Sequence, residues 1–190
     1  MPSSLIPSSA EIVRSLNGAW RLLLLDPSGM GRFDASIGGF WRSFFAAVLV
    51  APLYILRGLI DPLAAEAEAS GIGPALTAVL TYVLVWVAFP ITMIFIARFL
   101  DLRQAYVGFI VALNWARVLQ AVLLVAVSGA AALAGTPSDF LTLTAIAAVL
   151  VYQWVVTKTA LATSGTVAAA LVIIDALLES LIVATGVALG

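Results

Sequence analysis

Two carboxylates and one guanidinium lie inside strongly apolar stretches, where ionised groups are rarely found. Asp175 and Glu179 belong to the stretch LVIIDALLESLIV, and Arg117 belongs to ALNWARVLQAV. On a helix, the i, i+4 spacing of the two acids places them on one face. An unpaired charge near the centre of a lipid bilayer costs at least about 3 kcal/mol, so these groups require partners. We therefore expect the guanidinium of Arg117 to bridge Asp175 and Glu179.

Two amides flank the arginine on the same helix. Asn114 and Gln120 each lie about one turn from Arg117, on overlapping faces, so they can satisfy spare donors or acceptors of the charged groups. The sequence therefore predicts an intramembrane charge cluster, made up of Arg117, Asp175, Glu179, Asn114 and Gln120.

Three kinds of chemistry are open to this charge cluster. It can form a proton or cation path, or a charged substrate site; it can hold Mg²⁺ on Asp175 and Glu179, as lipid-processing enzymes do; or it can be a salt bridge that fixes how two helices pack. The charges nearly balance, and the chain has no histidine to extend a proton path. A lone acidic pair is a weak metal signal, because Arg117 competes for it. We favour the structural role and predict no catalytic, cofactor-binding or metal-binding residue.

The composition narrows the class of protein. With no cysteine and no histidine, disulfides, Cys/His zinc sites and Ser-His or Cys-His catalysis are excluded. The formal net charge of −1 gives no nucleic-acid footprint. The chain is 63% apolar and 10% charged, whereas soluble domains are about half apolar and about a quarter charged. The sequence therefore predicts an all-α, polytopic membrane protein.

The elements that position the charge cluster are five apolar segments, each with the roughly 20 residues needed to cross a bilayer. They cover about residues 36–60, 73–100, 104–133, 140–158 and 164–188. Before them, residues 10–26 are too short and too charged to span. They favour an amphipathic helix at the membrane interface, with Trp20 and Leu22 to Leu25 facing lipid or the bundle. We therefore divide the chain into an N-terminal segment, 1–35, and a five-helix transmembrane domain, 36–190.

The positions of the basic residues predict the orientation. Basic residues concentrate on the cytoplasmic side of membrane proteins. With the N-terminus inside, only Arg57 is outside, and the linkers 61–74 and 134–139 are external. The cytoplasmic side then holds the other basic residues near the helix ends: Arg14, Arg21, Arg32, Arg42, Arg98, Arg103 and Lys158. We expect an N-in, C-out topology with five spans.

Several stretches resemble the Yip family of five-span membrane proteins, particularly its bacterial members. They are WRLLLLDPSGMGRFD before the first span, FFAAVLVAPLYIL within it, ARFLDLRQAYVGFIVALNWARVLQAV across the second turn and TKTALATSGTVAAALVIIDALL across the last turn. The resemblance implies a membrane-shaping, trafficking or partner-binding protein rather than an enzyme. Eukaryotic relatives are associated with small GTPases through cytosolic N-terminal regions, and the short interfacial segment of this chain departs from that pattern.

The expected function is that of a non-enzymatic integral membrane protein that acts through protein and lipid contacts, in the bacterial inner (cytoplasmic) membrane. Its expected partners are the lipid bilayer and another membrane protein or a second copy of the chain, with no nucleic acid and no cofactor. A small transporter or channel that uses the same buried charges, proton-coupled or not, is the alternative. A lipid-modifying enzyme with a divalent ion near Asp175 is a third, weaker hypothesis.

Overall fold

The computed structural model describes residues 5–60, 72–134 and 139–189. These residues form helices and no strand. The helices are α1 (Ser9–Leu23), a 3-10 helix (Pro27–Arg32), α2 (Ile37–Ser43), α3 (Phe45–Ile60), α4 (Ile72–Phe99), α5 (Tyr106–Ala134), α6 (Asp139–Leu161) and α7 (Gly165–Leu189). Residues 61–71 and 135–138, which make up most of the two predicted outer linkers, lie outside the described residues.

Five of the segments are long and apolar enough to cross a membrane: Ile37–Ile60, Ala75–Phe99, Tyr106–Ala134, Phe140–Leu161 and Gly165–Ala188. The predicted all-α fold with five such segments is confirmed for the described part of the chain. The observed ends differ from the sequence-based ends by a few residues. The helices run through both internal prolines, Pro52 of α3 and Pro90 of α4.

The first of these segments is interrupted at Phe44, where α2 ends and α3 begins. The Ser43 hydroxyl donates to the Phe40 carbonyl over 2.7 Å, and the Phe44 amide bonds to the Trp41 carbonyl, three residues back. An i−3 bond is the mark of a tighter, 3-10-type turn. The serine side chain therefore satisfies a carbonyl that a continuous helix would pair with the Phe44 amide.

Helix α5 is the central element of the bundle, since it packs against α1, α2, α3, α4 and α6. Its first half is almost fully buried, from Phe109 to Ala116. Helix α7 packs against α4 and α6 instead. A side chain that joins α5 to α7 must therefore reach across the interior of the bundle.

The N-terminal helix α1 is part of this packing. Its N-cap is Ser8, whose hydroxyl accepts the Glu11 amide over 3.2 Å; such caps stabilise helix starts. Ala19 and Leu22 are fully buried against the bundle, whereas Trp20 is 51% exposed. The carbonyl of Ala19 accepts the hydroxyl of Tyr152 from α6 over 2.8 Å. Leu22 therefore faces the bundle, and Leu23 to Leu25 are exposed.

Three helices end with the same backbone device. Leu25, Asp101 and Ala162 have φ values of 62°, 56° and 47°, in the left-handed region. In each case the next amide bonds to a carbonyl five residues back, as in Asp26 to Arg21 and Thr163 to Lys158. This is the Schellman pattern, which usually places glycine at the left-handed position. Two of these turns provide the short connections from α4 to α5 and from α6 to α7.

Candidate functional site

An ion pair joins the central helix to the last helix. Nη2 of Arg117 on α5 lies 3.1 Å from both carboxylate oxygens of Asp175 on α7. The two side chains are 11% and 5% exposed, respectively. The positions agree with helix geometry, because both residues lie about 15 Å along helices that begin at the same end of the bundle.

A third polar side chain completes the pairing of this carboxylate. Nε2 of Gln153 on α6 donates to Oδ2 of Asp175 over 2.6 Å. Gln153 is itself buried, and its own backbone carbonyl accepts the hydroxyl of Thr157 over 2.8 Å. Asp175 is therefore held by donors from two helices, α5 and α6.

An aromatic ring covers the guanidinium from a fourth helix. Cζ of Arg117 lies 5.3 Å from the ring centroid of Trp86 on α4, within the range of a cation–π contact. Trp86 is buried, and its ring lies 6.3 Å from that of Tyr82. Tyr82 in turn donates to the Ala47 carbonyl of α3 over 2.6 Å. Helices α4, α5, α6 and α7 thus each contribute one side chain to the group around Asp175.

Glu179 does not join this ion pair, so the prediction that one guanidinium bridges both acids is corrected. Among the described residues, Arg117 makes its salt bridge with Asp175, and Glu179 is exposed. The i, i+4 spacing turns Glu179 by about 40° from Asp175 and moves it about 6 Å along the helix. The hydrogen bonds that Arg117 makes to α7 both run from Nη2 to Asp175, so the first acid alone forms the ion pair in the described part of the chain.

The two amides of the predicted charge cluster have different environments. Nδ2 of Asn114 donates to Oγ of Ser43 over 2.9 Å, which connects α5 to the break between α2 and α3. Gln120 is buried, but its Nε2 has no hydrogen-bond partner among the described residues. Nη1 of Arg117 and Oδ1 of Asn114 are likewise buried and unpartnered there. Neither amide contacts Asp175 through a hydrogen bond.

Sequence reasoning missed Gln153, Trp86 and Ser43 as members of this region. Gln153 stands one turn before Thr157 and Lys158, so in the sequence it resembles the ordinary polar end of a span. A usable signal exists in the spacing: Gln153 lies about 12 Å from the end of α6, a depth comparable to that of Asp175. A polar residue at that depth requires a buried partner, and depth matching would have linked the two.

A second group of ion pairs connects α1 to α2 near the chain's start. Nε of Arg42 bonds to both carboxylate oxygens of Glu11 at 2.9 Å, and its Nη2 lies 2.6 Å from Oδ2 of Asp34. The pKa of Asp34 is lowered, first by hydrogen bonds from Ser36 and then by the positive charges of Arg42 and Arg14. This network fixes α1 to the beginning of the first apolar segment.

These two polar groups have the features of packing elements. The ion pair of Arg117 and Asp175 connects two helices through charge-assisted hydrogen bonds. Among residues 5–60, 72–134 and 139–189, no three His, Cys, Asp or Glu side chains cluster as a metal site would require.

No family model, curated protein or solved structure matches this chain. The fold and the buried polar group together define its class: a helical protein whose five long apolar segments are those of an integral membrane protein.

Proposed function

We propose that this protein is a non-enzymatic integral membrane protein of the bacterial cytoplasmic membrane that acts through protein and lipid contacts. In this proposal it is a Yip-like scaffold or organiser of membrane proteins. The observation that carries the proposal is the group around Asp175, to which three other helices contribute. Arg117 and Gln153 bind the carboxylate of Asp175, and the ring of Trp86 covers the guanidinium of Arg117. Charged groups used in this way bind to each other and leave little for a substrate.

The surroundings of Arg117 support this choice. Two concave regions of the described surface lie away from this ion pair, one lined by residues of α1 and the 3-10 helix, the other by Leu25, Trp154 and residues of the α6–α7 turn. A transport path would need an aqueous route to the ion pair. The packed contacts of Arg117 and Asp175 fit a role in fixing how α5, α6 and α7 assemble.

The proposed orientation has the N-terminus in the cytoplasm. In the structure, the ends of α4 and α6 and the starts of α5 and α7 belong to short turns at one end of the bundle, with Arg98, Arg103 and Lys158 exposed there. Basic residues at one end favour the cytoplasmic side. Cysteine-accessibility labelling in intact cells tests this: a cysteine at Arg103 should stay unlabelled by an impermeant reagent, and labelling from outside would reverse the topology.

The function itself is tested by isolating the protein in mild detergent and measuring the mass of the purified particle by light scattering. A scaffold should form a defined homo-oligomer or retain a second membrane protein in a fixed ratio. A monomer without a partner, across several mild detergents, would contradict the proposal. Asp175→Asn serves as a comparison, because a loosened bundle should lower the yield of the assembled particle.

A small transporter is the second candidate, and one observation favours it. Nη1 of Arg117 and Nε2 of Gln120 are buried donors without a partner among the described residues, and such donors are suited to an ion, a water chain or a polar substrate. Flux in proteoliposomes distinguishes the two functions. A transporter loses flux in Asp175→Asn without losing folded yield, whereas a structural ion pair loses yield and regains it when Arg117 and Asp175 are exchanged.

A further inference from the structure

The outer face of α1 and the 3-10 helix enclose an open groove of about 630 Å³. Three arginines line it: Arg14 and Arg21 from α1, and Arg32 from the 3-10 helix. Val13 and Asn17 of α1 also line it. Of the two concave regions described above, this groove has more basic side chains: three arginines, compared with the single lysine, Lys158, in the other.

A glycine contact brings the arginines together. A Cβ atom added to Gly18 would lie 2.9 Å from both the Gly29 carbonyl oxygen and Cβ of Arg32. A Cβ at Gly29 would lie 3.1 Å from Cβ of Arg21. Because neither position carries a side chain, α1 and the 3-10 helix approach closely enough for Arg32 to face the same groove as Arg21.

The acids near the groove are already paired. Glu11 bonds to Arg42, and Asp26 bonds to Arg21 and to Ser28. In contrast, Arg14 and Arg32 are exposed and make no hydrogen bond or ion pair with the described residues. Arg32 therefore has no paired carboxylate at the groove, and Arg14 acts on Asp34 only through its charge, since the hydrogen-bonded partner of Asp34 is Arg42.

Apolar side chains lie on the same outer face of α1. Val13 is 68% exposed and Trp20 is 51% exposed, and each directly precedes an arginine, about 100° away around the helix. Exposed tryptophan and aliphatic groups beside arginines are typical of helices at the boundary between headgroups and acyl chains. The groove thus offers cationic donors for a phosphate next to apolar contacts for a chain.

We propose that this groove binds the phosphate headgroup of an anionic phospholipid, with Arg14 and Arg32 as the phosphate donors and Val13 and Trp20 against the acyl chains. Guanidinium groups match phosphate oxygens in charge and geometry. The inference rests on the proposed placement of α1 at the membrane interface and deepens it by naming the lipid class.

The test measures lipid retention by the full chain with native mass spectrometry, using phosphatidylglycerol and phosphatidylcholine as probes. Wild type should retain phosphatidylglycerol preferentially. The double variant Arg14→Gln/Arg32→Gln should weaken that retention by about a hundredfold, since each lost guanidinium–phosphate hydrogen bond costs about a factor of ten. Retention of phosphatidylcholine should not change.

The matched control is Arg98→Gln/Arg103→Gln, which removes the same charge from exposed positions away from the groove. It should change phosphatidylglycerol retention by less than about twofold. Equal losses in the two double variants would overturn the proposal, because attraction would then be diffuse. Displacement of the lipid by inorganic phosphate at equal concentration would also overturn it, since the site would then bind a soluble anion.

A separate measurement tests whether α1 lies at the membrane interface, so that loss of the lipid site can be distinguished from failure of the proposed function. Brominated acyl chains should quench the tryptophan fluorescence of reconstituted wild type more than that of Trp20→Phe. No difference would show that α1 is not at the interface and would overturn both the placement and the lipid site. Quenching of Trp20 without loss of lipid in the arginine variant would overturn the lipid site alone.

Discussion

Nη2 of Arg117 lies 3.1 Å from both carboxylate oxygens of Asp175, although α7 packs against α4 and α6 rather than lying along α5. The ion pair is therefore a cross-bundle connection between the central helix and the last helix. Gln153 of α6 contributes a second donor to the same carboxylate. The packing of three helices thus depends on one buried acid.

Removing one partner of this ion pair should destabilise the protein strongly. Arg117→Gln leaves a buried carboxylate without its cation, and we expect a loss of about 3–5 kcal/mol in the free energy of unfolding. The double variant Arg117→Gln/Asp175→Asn removes both charges and should recover most of this loss. Thermal unfolding in detergent measures the difference.

Glu179→Gln is the control for that experiment. Glu179 makes no salt bridge among the described residues and is exposed, so its replacement should have little effect on the unfolding temperature. A loss in Glu179→Gln as large as that in Arg117→Gln would contradict the assignment of Asp175 as the partner. Failure of the double variant to recover would show that the amides do not replace the ion pair.

The glutamine on α6 should matter more than the glutamine on α5. Gln153→Leu removes a 2.6 Å hydrogen bond to Asp175, and we expect a cost of about 1–3 kcal/mol because a buried oxygen loses its donor. Gln120→Leu removes a buried amide whose Nε2 has no described partner, so it should be neutral or slightly stabilising. The reverse order would favour the transporter, in which Gln120 serves a polar ligand.

The sequence was sufficient to predict the five apolar segments, because their length and hydropathy can be read from it directly. It was not sufficient to separate Asp175 from Glu179. Both acids lie on one face by spacing, and the choice between them depends on how α7 is rotated against α4 and α6. Gln153 and Trp86 were missed for a related reason: partners on other helices are set by packing, which local sequence does not contain.

The contact between α1 and the 3-10 helix should depend on Gly29. A Cβ at this position would lie 2.5 Å from the Gly18 carbonyl oxygen, a backbone atom that cannot rotate away. Gly29→Ala should therefore cost about 1–3 kcal/mol. Gly31→Ala in the same 3-10 helix should not, since nothing lies within 4 Å of its added Cβ. Thermal unfolding of the two variants gives the comparison, and equal costs would contradict the close approach.

The stability of the N-terminal segment should fall in acid. The pKa of Asp34 is lowered, chiefly by hydrogen bonds from Ser36 and also by Arg42. Its folded-state pKa is below its unfolded value, so its contribution is fully present above about pH 4 and is lost as the pH falls through the lower folded value.

Asp34→Asn checks this sign. The variant should be less stable than wild type at neutral pH, and the difference should shrink as the pH drops below about 4. Unfolding temperatures of both proteins across this range give the comparison. A difference that stays constant with pH would mean that the charge of Asp34 does not contribute, and that any effect comes from replacing an acceptor oxygen with an amide nitrogen.

The turn between α6 and α7 should be stabilised by glycine. Ala162 has a φ of 47°, where the Cβ of an L-residue approaches the following carbonyl at a cost of about 1 kcal/mol. Ala162→Gly removes that contact and keeps the bond from the Thr163 amide to the Lys158 carbonyl. We expect a rise in unfolding temperature that corresponds to about 1 kcal/mol or slightly less, because glycine also gains freedom in the unfolded chain. Ala147→Gly, at an exposed position inside α6, should lower the unfolding temperature by a comparable amount, and a loss in both variants would show that the left-handed position carries no strain.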